Sequence, residues 1–257
     1  MTRFVDAAWV QERLDDPGFL VIDPRRPMKY LSGHLKNAVN LPTYKAFDSE
    51  LRLLNAESLG GWIGSAGLDD RHTPIIYDSF DGQNGAMLAW ILEYLGRTDV
   101  HLMKTFYETW IAEKREVFYK PVNPAPGTFS FKENPAIRIT AAQIRSNPSW
   151  NLLDTRSIEE FTGIRDMDNK PGHIPGARNV VWRDLIAGSE GYLPQKSRIV
   201  NLLERAGIRS GGPIISYCRS GLRASVAYLV LKEFGYDVRL YDGSYRDWIR
   251  NDFPVEV

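Results

Sequence analysis

The two halves of the sequence repeat the same order of motifs. Each half contains an apolar run ending in Asp-x-Arg, then a short segment, Gly-His and a second apolar run, as in FLVIDPRR…GHLKNAVNLP and WNLLDTRS…GHIPGARNVV. Each half continues with a further apolar run, a loop, an apolar helical stretch, another strand-like run and a Trp. The spacing from His34 to His173 nearly equals that from Tyr77 to Tyr217. So constant an offset predicts two copies of one domain.

Both copies alternate short apolar runs with helical stretches. The runs FLVID, PIIY and DVHLM recur as NLLD, PIISY and DVRLY, and the helical stretch ASVAYLVLKEFG ends at Gly235, a residue type that favours helix C-termini. Alternating strands and helices predict a mostly parallel sheet flanked by helices. We therefore expect an α/β fold with tandem domains at residues 1–117 and 136–257, joined by a Pro-rich linker at 118–135.

The charge balance argues against a polyanionic partner. The 257-residue chain has 32 Lys and Arg against 32 Asp and Glu, so no net field attracts nucleic acid or an anionic membrane, and any anion site must be local. No run approaches the roughly 20 apolar residues of a membrane span, and the N-terminus lacks a signal-peptide pattern. We expect a soluble cytoplasmic protein, with a monomer as the working expectation.

A single cysteine, Cys218, lies in the sequence SYCRSGLR. One cysteine cannot form an intramolecular disulfide, and no Cys/His cluster has the spacing of a zinc site. The run GGPIISY predicts a buried strand, and RASVAYLVLKEFG predicts a helix with Val226, Leu229, Val230 and Phe234 toward the sheet. Cys218 then lies at the carboxyl end of a strand and just before a helix, where open α/β sheets bind ligands.

That position favours a reactive thiolate. The first amides of a helix have no intrahelical acceptor, and the helix dipole places partial positive charge beside the sulfur. Gly221 allows the loop to turn its amides inward, and Arg219 and Arg223 add two cations suited to an oxyanion. The alternatives are a small buried structural thiol and a cysteine phosphatase, but phosphatases resemble Cys-x5-Arg, whereas Cys218 and Arg223 form Cys-x4-Arg.

Three motifs together resemble the rhodanese family of sulfurtransferases in its tandem form. They are CRSGLR, GHIPGA at 172–177 and VRLYDGSYRDW at 238–248. The resemblance covers nearly the whole chain and implies that Cys218 accepts a sulfur from a donor as a persulfide and passes it to cyanide or a thiol, with no metal or organic cofactor. A persulfide relay or binding module without strong turnover is a further alternative. The resemblance assigns donor binding to the loop residues Arg219, Ser220, Gly221, Leu222 and Arg223.

The resemblance leaves two donors open. Thiosulfate enzymes of the family resemble Cys-Arg-Lys-Gly-x-x and mercaptopyruvate enzymes resemble Cys-Gly-Ser-Gly-x-x, so Arg219 favours thiosulfate while Ser220 matches the second type. We expect thiosulfate, with 3-mercaptopyruvate as the alternative. Tandem relatives often carry a substrate-binding Arg near the position of Glu160, and we expect Arg165 to supply that charge instead. The repeated Asp-x-Arg residues, Asp23 with Arg25 and Asp154 with Arg156, are expected mainly to form buried ion pairs or caps, although Arg156 is also close enough in sequence to be a candidate for donor binding.

The first copy lacks the nucleophile. Asp78 in IIYDSFDGQNG occupies the position of the cysteine, and the loop that follows has neither arginine. An aspartate cannot form a persulfide, so we expect the domain at residues 1–117 to be catalytically inactive.

Overall fold

The computed structural model of the protein describes residues 2–208 and 211–257 and divides the chain into two compact units. The first unit extends to Asn134 and also includes Ser189–Tyr192. The second unit comprises Pro135–Gly188 and Leu193–Val257. Each unit is a parallel sheet flanked by helices, which confirms the predicted α/β fold with two domains.

The first unit contains a five-stranded parallel sheet with the order β1-β5-β4-β2-β3. Its strands are β1 (Arg3–Val5), β2 (Phe19–Asp23), β3 (Val39–Asn40), β4 (Thr73–Ile76) and β5 (His101–Met103). Its α-helices are α1 (Ala7–Gln11), α2 (Pro27–Leu31), α3 (Ala56–Ser65), α4 (Gln83–Tyr94) and α5 (Tyr107–Ala112), and a short 3-10 helix spans Thr43–Ala46.

The second unit contains a four-stranded parallel sheet with the order β7-β6-β8-β9. Its strands are β6 (Asn151–Asp154), β7 (Arg178–Asn179), β8 (Ile214–Tyr217) and β9 (Val238–Leu240). Its α-helices are α6 (Ala141–Ser146), α7 (Ile158–Phe161), α8 (Lys196–Arg205), α9 (Leu222–Glu233) and α10 (Ser244–Arg250). Short 3-10 helices span Pro135–Ile137, Trp182–Leu185 and Gly188–Glu190, the last across the division between units.

The central helix of the second unit is more deeply buried than its sequence pattern predicts. Every residue from 224 to 231 on α9 is buried, including Ser225 and Tyr228, whereas the pattern predicted one apolar stripe. Phe234, predicted to face the sheet, lies just beyond the helix and is only half-buried. The helix packs against β8, β9 and the 3-10 helix at 182–185, so its burial depends on tertiary contacts that periodicity does not show.

A buried ion pair follows the second strand of the first unit. The Arg25 Nη2 atom lies 2.6 Å from Asp23 Oδ2, and it also donates a hydrogen bond to the Gly33 carbonyl. The Asp23 and Arg25 side chains are at most 4% exposed. Because two charges removed from water require close mutual pairing, this contact fixes the chain as it leaves the strand.

The same pair recurs in the second unit with the same geometry. Arg156 Nη2 lies 2.6 Å from Asp154 Oδ2 and donates a hydrogen bond to the Gly172 carbonyl. A tyrosine ring caps each guanidinium: Tyr107 in the first unit, with its ring centre 4.1 Å from Arg25 Cζ, and Tyr245 in the second, 4.0 Å from Arg156 Cζ. The sequence repeat is therefore also a repeat of buried interactions.

The Pro-rich segment after the first sheet has no helix or strand between residues 119 and 134. Its backbone amides donate hydrogen bonds to the first unit, from Val122 to the Tyr30 hydroxyl and from Gly127 to the Gly64 carbonyl. It is therefore a packed segment of the first unit. None of the helices described is both long enough and apolar enough to cross a bilayer.

Replacement of Asp23 by Asn tests the buried ion pair. The Asp23→Asn variant leaves the Arg25 charge buried without its counter-ion, and we expect the free energy of unfolding to fall by about 3–5 kcal/mol. Urea unfolding measures this change. The matched control is Asp15→Asn, which removes an exposed pair with Lys36 and should leave the transition nearly unchanged. Equal unfolding midpoints for the two variants would show that the buried pair does not support the fold.

Candidate active site

The candidate site forms where β8 ends and α9 begins. Cys218 follows the last residue of the strand and is only 1% exposed. Gly221, the residue before the helix, has φ +91°, a conformation that glycine adopts without the steric cost of a side chain. The loop therefore turns sharply enough to connect a buried strand directly to a buried helix.

The backbone amides of this loop are available for a ligand. Among the described residues, none accepts a hydrogen bond from the amides of residues 219–224, and the first helical bond at this end is from the Ser225 amide to the Gly221 carbonyl, 2.9 Å. Amide groups at the start of a twelve-residue helix carry partial positive charge and bind anions. The loop is thus suited to hold negative charge beside Cys218.

The start of α10 holds the cysteine loop in place. The Cys218 amide donates to Ser244 Oγ at 3.1 Å, and the Cys218 carbonyl accepts from the Tyr245 amide at 3.0 Å. The Arg219 carbonyl accepts from the Arg246 amide at 3.1 Å. Ser244 has φ +56°, a left-handed conformation that is uncommon for serine. These hydrogen bonds fix the backbone of Cys218 and Arg219 without using the Cys218 sulfur or the amides of residues 219–224.

Arg223 is paired with a carboxylate and interacts electrostatically with Cys218. Its Nη1 and Nη2 atoms donate to Glu160 Oε2 and Oε1 at 2.6 and 3.0 Å. Burial opposes the charge on Arg223, but the hydrogen bonds to Glu160 and the negative charge of Cys218 raise its pKa. Burial also opposes ionisation of Glu160, yet Arg223 holds the pKa of this carboxyl below its ordinary value. Both groups are therefore charged at neutral pH.

Arg219 is paired with a second carboxylate. Its Nε and Nη2 atoms donate to Asp168 Oδ2 and Oδ1 at 2.8 and 2.6 Å, and the Arg246 Nε atom lies 3.6 Å from the same carboxylate. Hydrogen bonding to Asp168 raises the pKa of Arg219. The sequence predicted two cations, Arg219 and Arg223, at the cysteine loop. The structure adds a third arginine, Arg246, and two carboxylates, Glu160 and Asp168.

The predicted loop residues 219–223 lie together next to Cys218, but two other predicted residues do not join them. Arg156 is occupied by Asp154 and Gly172, as described above. Arg165 is exposed, and its backbone amide donates to the Glu159 carbonyl. No contact with the cysteine loop is present for either residue among the described residues, so their role in donor binding stays a prediction without structural support.

Sequence reasoning missed four residues that hold the site: Glu160, Asp168, Ser244 and Arg246. Glu160 was noted only as a departure from an expected arginine, and Asp168 belongs to a polar segment without periodicity. Asp168 is 51 residues from Arg219, and Glu160 is 63 residues from Arg223. The only available signal was that a loop with two arginines needs counter-charges once it is partly buried.

The first unit places a carboxylate where the second has the thiol. Asp78 follows β4 and is fully buried, and its Oδ1 and Oδ2 atoms accept hydrogen bonds from the Ser79 and Gly85 amides at 2.8 and 2.7 Å. The Asp78 carbonyl accepts from the Tyr107 amide at 2.8 Å, as the Cys218 carbonyl accepts from Tyr245. In this domain the Asp78 side chain itself accepts the hydrogen bonds of two loop amides.

Tyr192 closes the Asp78 loop. Its hydroxyl donates to the Gly82 carbonyl at 2.6 Å, and its ring lies 5.1 Å from that of Phe106. A Cβ atom added to Gly82 would lie 2.5 Å from the Tyr192 ring, so only glycine leaves room for this contact. The sequence gave no signal for this contact, because residues 189–192 lie far along the chain from the unit they join.

The environment of Asp78 favours its neutral form. Burial is the main cause, and the nearby charge of Asp81 adds to it, so that the pKa of Asp78 is raised to about 8 despite hydrogen bonds from two amides. The Tyr192 pKa is also raised, mainly by burial. The Asp78 loop therefore differs from the Cys218 loop in having a carboxyl group on its amides and no adjacent arginines.

No group of three or more His, Cys, Asp or Glu side chains among residues 2–208 and 211–257 is arranged to hold a metal ion. The expectation that the chemistry needs neither a metal nor an organic cofactor stays a prediction. The single cysteine is reduced, with no sulfur partner.

Comparison with known proteins gives consistent matches over the whole chain. The rhodanese-like domain family matches residues 6–113 and again 140–251. A putative thiosulfate sulfurtransferase of Synechococcus elongatus is 28% identical over 272 residues, which cover 99% of this chain and 85% of that protein. The 3-mercaptopyruvate sulfurtransferase of Escherichia coli is 28% identical over 277 residues, which cover 99% and 98%. A crystal structure of the Escherichia coli 3-mercaptopyruvate enzyme is similar with a TM-score of 0.85 at 25% identity, covering 95% of this chain and 99% of that one.

The buried Asp78 should make stability depend on pH. Its folded pKa of about 8 exceeds the unfolded value of about 3.9, so its contribution to stability is full below pH ~4 and is lost as the pH rises through 8. We expect the unfolding free energy of wild type to fall by on the order of a few kcal/mol across this window relative to Asp78→Asn. Urea unfolding at several pH values measures it, with exposed Asp70→Asn as control. Parallel curves for wild type and Asp78→Asn would contradict the account.

Proposed function

The chain belongs to the rhodanese family, and we propose that it is a sulfurtransferase whose nucleophile is Cys218. The observation that carries the proposal is the loop itself: a reduced cysteine at the start of a helix, next to six amides that have no acceptor among the described residues, and close enough to Arg223 to interact with it electrostatically. Such an arrangement stabilises a thiolate and any anion bound to its sulfur. In the equivalent loop of the first domain two amides donate hydrogen bonds to the Asp78 carboxyl group, which supports the proposal that the amides of the second loop bind the acceptor atoms of a ligand.

The first half-reaction forms a persulfide on Cys218. The thiolate attacks the outer sulfur of thiosulfate, a new S–S bond forms to Cys218, and the S–S bond of the donor breaks with its electron pair leaving on sulfite. The terminal persulfide sulfur then carries the negative charge. We propose that the amides of residues 219–224, which have no acceptor in the described part of the chain, stabilise this charge, and that Arg223 stabilises the departing sulfite.

The second half-reaction returns the enzyme to its starting state. A cyanide ion or an acceptor thiolate attacks the terminal sulfur, and the Cys218–sulfur bond breaks with its electron pair returning to Cys218 as a thiolate. No proton or external oxidant is needed, since the sulfur moves from one nucleophile to another. The same amides then serve both half-reactions.

Thiosulfate is the donor we propose, because three arginines lie at the loop and guanidinium groups bind sulfur oxyanions well. The Synechococcus elongatus relative bears the name of a thiosulfate enzyme. 3-Mercaptopyruvate is the second candidate. Glu160 and Asp168 offset two of the three positive charges at the loop, and a monoanionic donor needs less positive charge for binding than a dianionic one. The Escherichia coli relative is named for that donor.

We propose that the enzyme acts in the cytoplasm as a monomer. A catalytic thiol needs a compartment that keeps it reduced, which favours the cytoplasm. All residues proposed to act lie within the second domain, so a monomer is sufficient, and we propose that the first domain, with Asp78 in place of the cysteine, does not turn over substrate.

The direct test is thiocyanate formation from thiosulfate and cyanide. We expect Cys218→Ser to lower the rate by on the order of 10³-fold or more, because serine cannot form a persulfide, while Asp78→Asn, the change at the matched position of the first domain, leaves the rate unchanged. Wild type should show a higher kcat/KM for thiosulfate than for 3-mercaptopyruvate. Retained activity in Cys218→Ser would contradict the proposed nucleophile, and a preference for 3-mercaptopyruvate would replace the donor.

A further inference from the structure

We propose that Asp168, carried on a segment found only in the second domain, determines how strongly the Cys218 site discriminates between donors of different charge. The inference rests on the proposed function for its choice of site, and it concerns which anions the site accepts. Asp168 acts through Arg219 and is therefore a positioning residue with respect to the reacting sulfur.

The first observation is the geometry of the ion pair. Asp168 accepts two hydrogen bonds from Arg219, at 2.8 and 2.6 Å, and lies 3.6 Å from Arg246 Nε. Its side chain is 11% exposed, so solvent screens this charge less than that of a surface carboxylate. One negative charge thus holds two of the three arginines near the cysteine loop. An anion that uses Arg219 must compete with Asp168 for it.

The second observation is the internal repeat. The aspartate of the buried pair and the glycine before the repeated histidine lie ten residues apart in the first half, at Asp23 and Gly33, and eighteen apart in the second, at Asp154 and Gly172. The rings that stack on the following histidines, Tyr30 and Phe161, occupy matching places before this difference. The extra residues therefore fall at about 164–171, the segment that contains Asp168.

The added segment is secured independently of Arg219. The Asp166 Oδ1 atom accepts hydrogen bonds from the Asp168 and Lys170 amides at 3.0 and 3.1 Å, and Lys170 Nζ lies 2.9 Å from Asp252 Oδ1. The Lys170 carbonyl accepts from the Tyr245 hydroxyl at 2.9 Å. The scaffold does not require this segment, because the first domain folds without it, and the site with the nucleophile is the one that has it.

The physical consequence is selectivity by charge. The repulsion between Asp168 and a bound anion scales with the charge of the anion, so a dianion loses about twice as much binding free energy as a monoanion. Asp168 therefore reduces the advantage that three arginines would give a dianionic donor. Its removal should favour dianions specifically, which a loss of structural support would not do.

The test measures binding of inert anions, so that it does not depend on sulfur transfer. The rate at which iodoacetamide alkylates Cys218 is measured at constant ionic strength. Sulfate serves as the dianion and methanesulfonate as the monoanion. The concentration of each anion that slows alkylation of Cys218 gives its Kd. In Asp168→Asn we expect affinity for sulfate to rise by about tenfold and affinity for methanesulfonate by about threefold. Asp168→Ala provides a second variant that removes the same charge.

Two variants act as controls. Asp168→Glu keeps the charge and should retain the wild-type ratio of the two affinities, whereas Asp252→Asn releases the ion pair with Lys170 on the same segment without touching Arg219 and should also retain it. Equal changes for both anions in Asp168→Asn, no change, or no protection by sulfate would each overturn the inference. A protein that binds the anions as expected but forms no thiocyanate would instead contradict the proposed function.

Discussion

The central constraint in this molecule is that the backbone amides between a buried strand and a buried helix need hydrogen-bond acceptors. The two domains answer this need differently at the same place. In the first domain the Asp78 carboxyl group accepts hydrogen bonds from the Ser79 and Gly85 amides, and Tyr192 closes over the loop. In the second domain the side chain at that position is Cys218, and the amides that follow it have no acceptor among the described residues. The fold is satisfied by either solution, but only the second leaves the amides to a substrate.

Charge at the site is set by pairs of residues. Arg223 is paired with Glu160, and Asp168 lies against both Arg219 and Arg246. Because each carboxylate approaches its arginine to 2.6 Å, the guanidinium groups keep fixed orientations before a donor arrives. A bound oxyanion therefore meets oriented donors and a net positive charge smaller than three unpaired arginines would give.

Much of the fold was predictable because it is local or repeated. The strand GGPIISY, the helix that follows it and the Asp-x-Arg pairs could all be identified, since each depends on neighbours in sequence or on its own duplicate. The partners Glu160 and Asp168 could not, because they reach the loop from 63 and 51 residues away and no periodicity marks a carboxylate as a counter-ion. The place of residues 189–192 in the first unit could not be predicted either, because it depends on long-range contacts of Tyr192.

The most direct test of the central claim is the mass of the intact protein after brief exposure to thiosulfate without an acceptor. If the Cys218 thiolate takes the outer sulfur, the mass rises by about 32 daltons, the added sulfur is found on Cys218, and cyanide removes it with release of thiocyanate. Cys218→Ser should show no increase. An unchanged wild-type mass, or the same increase in Cys218→Ser, would contradict the account of the cysteine loop as a sulfur-accepting anion site.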